Sequence, residues 1–186
     1  MIHTSFHAPP GPVMSELEHT EAEQEVQIRT YRTEDDAAVR RLYHSGRLMG
    51  QVQPQDDTAD IEDIPAAYLE PARGHFWVAE IEQRPVGIIG VWEDEPDVAE
   101  IRRLRVDPAF VGHGVTTKLM ETALAFCRRE AYLKVILDTR IEHGPAMRLF
   151  ERFAFQHTRT RSVGGKDLLE FYMDLYHEPR NEDYGQ

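Results

Sequence analysis

A glycine-containing segment at residues 106–119, VDPAFVGHGVTTKL, carries residue types that can hold an anionic group. Gly112 and Gly114 permit unusual backbone dihedrals and a close approach of the chain to a ligand. The pattern that follows is helical, and the first N–H groups of a helix lack partners within it and bear a partial positive charge. Two threonines could add hydroxyl donors, and Lys118 a point charge. The segment therefore predicts a site for a phosphate or pyrophosphate, although such turns also contain glycines for structural reasons alone.

Two other phosphate-binding loops do not fit this segment. A Walker loop has a lysine directly after its last glycine, whereas Val115 follows Gly114 here. A dinucleotide-binding fingerprint has a third glycine and follows a strand of a parallel sheet. Here the third glycine is missing, and the preceding strand ends an antiparallel meander. The anion would therefore be held by a loop of another kind.

The composition excludes several classes of partner. The chain has 186 residues, with 33 acidic and 21 basic side chains, a formal net charge of −12 and one cysteine. Surplus negative charge argues against nucleic acid and against an anionic membrane surface. One cysteine cannot form an internal disulfide or a Cys-based zinc cluster, so we expect no metal and a cytoplasmic location. No apolar run approaches the roughly 18 to 20 residues of a membrane helix, and no secretory signal is apparent.

The hydrophobic pattern predicts one domain at residues 26–177, between a mobile N-terminal tail at 1–25 and a C-terminal tail at 178–186. Strands are expected at 26–28, 75–81, 86–92, 99–106, 133–137, 155–159 and 168–175. Helices are expected from 34 to about 46, within 56–69, and at 114–129 and 145–153. The order indicates an α/β domain of the α+β type, with an antiparallel meander and one parallel pair joined by a right-handed crossover.

Two local features of these elements can be checked directly. Thr33 precedes three carboxylates, a pattern typical of the cap of a helix N-terminus. Ile101 and Leu104 break the alternation of the strand before the glycine loop, which would fit a β-bulge.

Two motifs in this order resemble the GNAT superfamily of acyl-CoA-dependent N-acetyltransferases. The loop matches the pattern V-x-P-x-x-(R/Q)-G-x-G-(I/V)-(G/A), with an early leucine in the helix, at Val106, Pro108, Gly112, Gly114, Val115 and Leu119. The segment AMRLFERFAF, at residues 146–155, is similar to the family motif A-x-x-L-Y-x-x-x-G-F. The resemblance covers residues 26–176.

The resemblance implies a GNAT-like mixed, mostly antiparallel sheet with a central splayed parallel strand pair, flanked by helices. It implies acetyl-CoA as co-substrate, with its pantetheine along the strand that ends at Val106 and its pyrophosphate on the amides of 111–116. The implied activity is transfer of the acetyl group to a primary amine of a small molecule, amino acid or peptide. The implied cofactor contacts are Leu104, Val106, Val111, Gly112, His113, Gly114, Val115, Thr116, Thr117, His143 and Phe150.

Several positions depart from the family pattern. Val111 replaces the usual Arg or Gln, so a side-chain phosphate donor is absent. Phe150 replaces the usual Tyr, which often serves as general acid, and His143 stands where an Asn often contacts the cofactor or a structural water. Thr116 replaces a small residue. These losses leave an alternative open, a non-catalytic acyl-CoA-binding or regulatory module on the same scaffold.

Acetylation of an amine requires a base, because a protonated amine has no lone pair with which to attack. Glu100 lies where similar enzymes often keep a catalytic Glu, and the alternative is a solvated strand carboxylate paired with Arg102 or Arg103. Glu80 and Glu93 are weaker candidates. Tyr172 and His143 are the candidates for the general acid.

Three further features have both a functional and a structural interpretation. The acidic run at 56–63 either attracts a cationic amine or forms a solvated face. Cys127 is more typical of a small core residue than of a nucleophile. Related domains are often dimers, so a homodimer is possible.

Overall fold

The predicted order of elements is confirmed by a computed structural model, which describes residues 25–45, 58–140, 144–163 and 166–176. The strands are β1 Gln27–Thr30, β2 His75–Ile81, β3 Arg84–Glu95, β4 Val98–Val106, β5 Lys134–Arg140, β6 Gln156–Val163 and β7 Lys166–Asp174. The helices are α1 Asp36–Ser45, α2 Ala59–Glu62, α3 Val115–Arg129 and α4 Gly144–Arg152. Of the predicted N-terminal tail only Glu25 is described, and the predicted C-terminal tail lies outside the described residues, which end at residue 176.

The seven strands form one mixed sheet in the order β1-β2-β3-β4-β5-β7-β6. Among the described strands, only β4 and β5 run parallel, as the crossover through α3 predicts. Their register extends from the pair Val98 and Lys134 to the pair Glu100 and Ile136. Both strands continue beyond this point, β4 to Val106 and β5 to Arg140, without pairing to each other. The sheet is therefore open between β4 and β5 on the side of the glycine loop.

The β-bulge predicted in β4 is confirmed. Gly90 of β3 is opposite Arg102, whereas Ile88 is opposite Arg105, so two residues of β4 face one residue of β3. Arg103, within this bulge, has a φ of 57°, in the left-handed region. Because the bulge shifts the alternation by one residue, Leu104 joins the hydrophobic core.

Two hydrophobic layers cover the two faces of the sheet. On one face, α3 buries the predicted stripe of Val115, Leu119, Ala123 and Phe126, packing mainly against β3 and β4. On the other face, α1, α2 and a π-helical turn at Pro65–Leu69 contribute a second cluster that includes Leu42, Tyr43, Ile61 and Tyr68. The second helix expected within 56–69 is thus two short segments, because Pro65 begins a separate turn.

The prediction that Thr33 caps the first helix is wrong. Residue Arg32 holds the cap position, and a 3-10 turn at Thr33–Asp35 precedes α1. The Asp35 carboxylate folds back and accepts the backbone N–H of Arg32 at 2.8 Å. A carboxylate three residues after the cap accepts the N–H of the cap residue itself, whereas a capping hydroxyl accepts an N–H inside the first turn. The local sequence contains candidates for both arrangements, so it does not distinguish them.

The predicted turn at 82–85 is shorter than expected. Glu82 and Gln83 have φ values of 50° and 64°, and β3 begins at Arg84. Two successive left-handed residues form the tight hairpin that matches strand twist. The pairing therefore restarts immediately, and Pro85 lies within the strand.

Candidate active site

The glycine loop reverses the chain between β4 and α3. Asp107 begins it, accepting the Ala109 N–H at 3.0 Å and an N–H of Arg84 at 3.1 Å, and a 3-10 turn follows at Pro108–Phe110. Gly112 and Gly114 have φ values of 93° and 76°. A side chain at either position would strain the backbone, so the glycines are required by conformation. Within the described ranges, and leaving out the two chain neighbours, no atom lies within 4 Å of a Cβ built at either glycine.

The N-terminus of α3 has no capping side chain among the described residues. Gly114 holds the cap position and offers no side-chain acceptor. The N–H groups of Val115, Thr116 and Thr117 in the first turn therefore lie beside the open end of the loop, whereas Lys118 N–H already bonds to the Gly114 carbonyl at 3.1 Å. Uncapped amides at a helix N-terminus fit an anionic ligand.

The predicted role of Lys118 as a phosphate charge does not match its contacts. Its Nζ donates to the backbone carbonyl of Val26 at 3.0 Å and so holds the entry to β1 against α3. A different cation lies at the loop, since Arg152 of α4 donates its Nη2 to the Thr117 hydroxyl at 2.8 Å. The sequence reasoning missed Arg152 because it lies 35 residues from Thr117 along the chain.

The opening between β4 and β5 leads to this loop. The side chains of Leu104, Val106 and Val115 are buried in the core, so only their backbone groups can contact a ligand in the opening. Val111 is 51% exposed at the loop surface, and His113 is exposed with its ring against Phe110. His143, also a predicted cofactor contact, lies outside the described residues.

A cavity of about 590 Å³ lies on the side of the opening. Register places Glu100, Ile136 and Tyr172 in one row across β4, β5 and β7, and all three line this cavity. Its other charged lining residues are Asp94, Arg102, Lys134, Asp138, Arg159, Arg161 and Glu170. The cavity thus brings carboxylates and cations together beside the point where β4 and β5 part.

Glu100 is held in this wall by an ion pair. Arg102 donates its Nε to Oε2 of Glu100 at 2.6 Å, its Nη2 lies 2.6 Å from the same oxygen, and the guanidinium also lies over the Trp92 ring. Burial raises the pKa of Glu100, and the charge of Arg102 opposes that shift. Both contacts use one oxygen, so the second can accept a proton. Glu100 is thus paired with Arg102, as one interpretation of the sequence holds, and it also lines the cavity, while its catalytic role stays a prediction.

Tyr172 lies two strands away from Glu100, a Cα separation of about 10 Å at ordinary strand spacing. Its hydroxyl donates to Oε1 of Gln156 at 2.9 Å, on the side of β7 away from β5. A general-acid role for Tyr172 stays a prediction, and it requires the hydroxyl to leave this bond.

Phe150 is fully buried and packs against Phe155 and Phe171, with ring centroids 6.0 and 5.4 Å apart. A tyrosine hydroxyl here would enter a dry core. We expect Phe150→Tyr to lower the free energy of unfolding by about 1–3 kcal/mol, as for an unsatisfied buried hydroxyl. Urea denaturation measures this, with Phe153→Tyr at a half-buried position as control. Unchanged stability together with faster turnover would show that the hydroxyl reaches the opening.

Asp60, in the acidic run at 56–63, neither faces solvent nor is free to attract a cationic amine, the two interpretations drawn from the sequence. The Asp60 carboxylate, 9% exposed, accepts two hydrogen bonds from Arg103 at 2.8 and 2.7 Å and one from the Tyr68 hydroxyl at 2.5 Å. It is therefore neither solvated nor available to an incoming amine. Asp56 and Asp57 lie outside the described residues.

Cys127 is buried, and burial raises the pKa of its thiol to about 12. This environment matches a core residue, because a nucleophilic cysteine needs a lowered pKa and access. Within the described ranges, no group of three or more His, Cys, Asp or Glu side chains could hold a metal ion. In the same ranges, no helix has the length and apolar character needed to cross a membrane.

Comparison with known proteins assigns the family. The model of the acetyltransferase (GNAT) family matches residues 37–155. This match covers more than half of the chain, and the protein belongs to the GNAT family of acetyltransferases.

Curated relatives share part of their length with this chain. Human N-acetyltransferase 8B is 36% identical over 104 residues, 53% of this chain and 46% of that protein. The N-acetylaspartate synthetase of Xenopus tropicalis is 33% identical over 118 residues, 63% of this chain and 44% of that protein. This chain therefore spans less than half the length of these two relatives.

Solved structures share the fold. A GNAT-family acetyltransferase from Staphylococcus aureus has a TM-score of 0.71 at 19% identity, covering 81% of this chain and 99% of that one. The Salmonella typhimurium protein yncA, determined with its cofactor acetyl-CoA, has a TM-score of 0.69 at 18% identity, covering 86% and 99%. At these identities the likeness establishes the fold, which confirms the predicted GNAT-like sheet.

Proposed function

We propose that this protein is an N-acetyltransferase that transfers the acetyl group of acetyl-CoA to a primary amine. The observation that carries the proposal is the opening between β4 and β5, which ends at an uncapped helix N-terminus within a GNAT domain. Since this chain matches only part of its curated relatives, the activity is our inference for this chain. A cytoplasmic location and a homodimer also stay predictions.

The residues at the opening fit the group that the family implies. The loop amides, from Gly112 to Thr116, would hold the pyrophosphate. His113 N–H already donates to the Phe110 carbonyl at 3.3 Å, so the main donors would be the first amides of α3, which have no capping side chain among the described residues and follow two left-handed glycines. The backbone of Leu104 and Val106 would pair with the pantetheine amides. Arg152 would supply the cation that Val111 cannot, since its guanidinium already lies at Thr117.

Glu100 would act as the base of the reaction. When bound, acetyl-CoA supplies a thioester that a neutral amine attacks directly, the C–N bond forming as the C–S bond breaks. Glu100 would remove a proton from the acceptor ammonium, directly or through one water, at the rim of the cavity. Its raised pKa brings it closer to neutral pH, which suits a base. Tyr172 is the proposed donor of a proton to the departing thiolate.

The acceptor would be a small polar amine, an amino acid or a peptide. The cavity beside Glu100 has carboxylates and cations on its walls, which suits a polar acceptor rather than an apolar one. One matched relative is named for the synthesis of N-acetylaspartate, an acetylated amino acid. A non-catalytic acyl-CoA-binding module is the second candidate, favoured by the full burial of Phe150 in the position of the family acid.

Acetyl-CoA is expected to raise the melting temperature of the protein. At about a hundred times its Kd, a ligand stabilises the folded state by about 2.7 kcal/mol, which corresponds to roughly 5 to 10 °C for a domain of this size. Pantetheine, which lacks the pyrophosphate, should give a much smaller shift. No shift with either CoA or acetyl-CoA at millimolar concentration would contradict both the enzyme and the module. Thiol release with an amine panel then separates these two.

Arg152→Gln is expected to weaken CoA binding by about tenfold or more, since a hydrogen bond to a charged group contributes about 1.5–3 kcal/mol. Arg148→Gln, at an exposed position of the same helix, is the control for loss of surface charge. Isothermal titration with CoA at two salt concentrations measures both effects. Equal affinities for the two variants would remove Arg152 from the cofactor site.

A further inference from the structure

We propose that Arg103, Asp60 and Tyr68 form an anchor that positions the bulge of β4 for catalysis, and that Arg103 and Asp60 are positioning residues. This inference rests on the proposed function, because it assigns the anchor a role in the geometry of the thioester site. The anchor joins the strand along the opening to the α2 segment on the other face of the sheet.

The contacts of the anchor are direct and well buried. Arg103 donates its Nε and Nη2 to the two oxygens of Asp60 at 2.8 and 2.7 Å, in the two-pronged geometry that a guanidinium and a carboxylate share. The two side chains are 11% and 9% exposed. Arg103 also donates its Nη1 to the Tyr43 hydroxyl at 3.3 Å, which ties α1 to the same point.

Tyr68 also holds the Asp60 carboxylate. Its hydroxyl donates to Oδ2 of Asp60 at 2.5 Å, and its ring is fully buried. The ring reaches this place because residue 90 of β3 is a glycine, where an added Cβ would lie 2.7 Å from the ring. Gly90 pairs with Arg102, directly beside the bulge. The anchor is thus built around the bulge from three separate segments of the chain.

The bulge needs an external contact because β4 loses a partner just before it. Beyond Glu100, β4 no longer pairs with β5 and retains only β3 as a neighbour in the sheet. Arg103 also has a φ of 57°, a left-handed conformation that is unfavourable for a residue with a Cβ. A strained residue on a strand with one free edge persists only where its surroundings hold it. The ion pair with Asp60 is a contact of this kind, together with the hydrogen bond to Tyr43.

The position of the anchor gives it a role beyond stability. The bulge lies between Glu100, the proposed base, and Leu104 and Val106, the proposed backbone contacts of the pantetheine. A shift of β4 at Arg103 would therefore change the distance between the base and the thioester. The pyrophosphate loop, held separately by Asp107 and α3, would keep its geometry. The anchor should thus govern the rate of reaction more than the affinity for CoA.

Asp60→Asn and Arg103→Lys test this inference. Asp60→Asn keeps the shape and removes the charge, and Arg103→Lys keeps the charge and removes the two-pronged geometry. We expect kcat to fall by about tenfold to a hundredfold, as for a small misplacement of reacting groups. The Kd for CoA should stay within about threefold of the wild-type value, because the loop is unaffected. The kcat is calculated per CoA-binding site, and both kcat and Kd are measured below the melting temperature of each variant, so that unfolded protein does not contribute.

The Arg29–Asp35 pair is a matched control. It is also two-pronged, with Nη1 and Nη2 of Arg29 at 2.6 and 2.8 Å from the carboxylate of Asp35, and Asp35 is 4% exposed. It lies at β1, the sheet edge remote from the opening. Asp35→Asn should lower the melting temperature and leave kcat unchanged. If Asp60→Asn also lowers only the melting temperature, the anchor is structural and the inference is wrong.

If no tested amine gives measurable turnover, amide hydrogen exchange of β4 tests the anchor in place of kcat. The anchor predicts faster exchange of the backbone amides of residues 101–106 in Asp60→Asn than in Asp35→Asn, with equal exchange in α3. Equal exchange of 101–106 in the two variants overturns the inference, whatever the activity. A wild-type protein that binds no CoA instead removes the proposed function and the positioning role together, whereas wild-type kcat in the Asp60 variant removes the positioning role alone.

Discussion

Replacement of Glu100 by glutamine is expected to lower kcat/KM by about 10²–10⁴-fold, the usual range for removing a general base. Glutamine preserves the size of the side chain and can still accept a hydrogen bond from Arg102, so the fold should stay intact. Glu80→Gln is the control, since Glu80 was a weaker candidate and its carboxylate binds Arg29 at 2.7 Å, away from the cavity. A Glu100→Gln enzyme with wild-type kcat/KM would show that another group removes the proton.

The pH dependence of kcat/KM is a second test of whether Glu100 is the base. Burial raises the pKa of Glu100, so the carboxylate that acts as base exists only above a pH higher than for an ordinary glutamate. The acidic limb of the kcat/KM profile should therefore lie at raised pH, and Glu100→Gln should abolish it. Arg102→Gln should move the limb to still higher pH, because the guanidinium of Arg102 favours the charged carboxylate. A limb unaffected by both substitutions would belong to another group.

Gly114→Val is expected to weaken CoA binding by roughly a hundredfold or more, since a helix amide bonded to a charged phosphate contributes about 1.5–3 kcal/mol and at least two amides would move. Gly114 has a φ of 76° directly before α3. A β-branched residue is strongly disfavoured there, so the chain would turn to a negative φ and redirect the first amides of the helix.

Gly114→Asn separates backbone conformation from crowding. Asparagine adopts the left-handed region more readily than other residues with a side chain, so its affinity for CoA should stay within about fivefold of wild type. Apart from its chain neighbours, no atom of the described residues lies within 4 Å of a Cβ added at Gly114, so neither variant collides with that part of the protein. Isothermal titration measures both. If both variants lose CoA affinity equally, the added side chain obstructs the ligand. If both keep the wild-type affinity, the loop does not hold CoA.

The fold followed from local and periodic signals in the sequence. The broken alternation at Ile101 and Leu104 predicted the bulge, and the apolar stripe from Val115 to Phe126 predicted the buried face of α3. The crossover rule then gave the parallel pair of β4 and β5. These features depend on neighbouring residues or on a general rule of chain handedness, so a single sequence contains them.

The contacts that shape the site did not follow from the sequence. Lys118 bonds to Val26, 92 residues away, and Arg103 to Asp60, 43 residues away. Such pairings depend on how separate elements pack, and any of several charged residues would satisfy the same pattern. Sequence analysis therefore placed Asp60 in a run that would either attract an amine or form a solvated face, although its carboxylate is bound by Arg103 and Tyr68.

A crystal structure of the protein grown with acetyl-CoA tests the central claim most directly. The account predicts the pyrophosphate within hydrogen-bonding distance of the amides of Gly112 to Thr116, and the acyl end beside Glu100 where β4 and β5 separate. A cofactor bound elsewhere on the protein, with the N-terminus of α3 and the opening both free of it, would contradict the account.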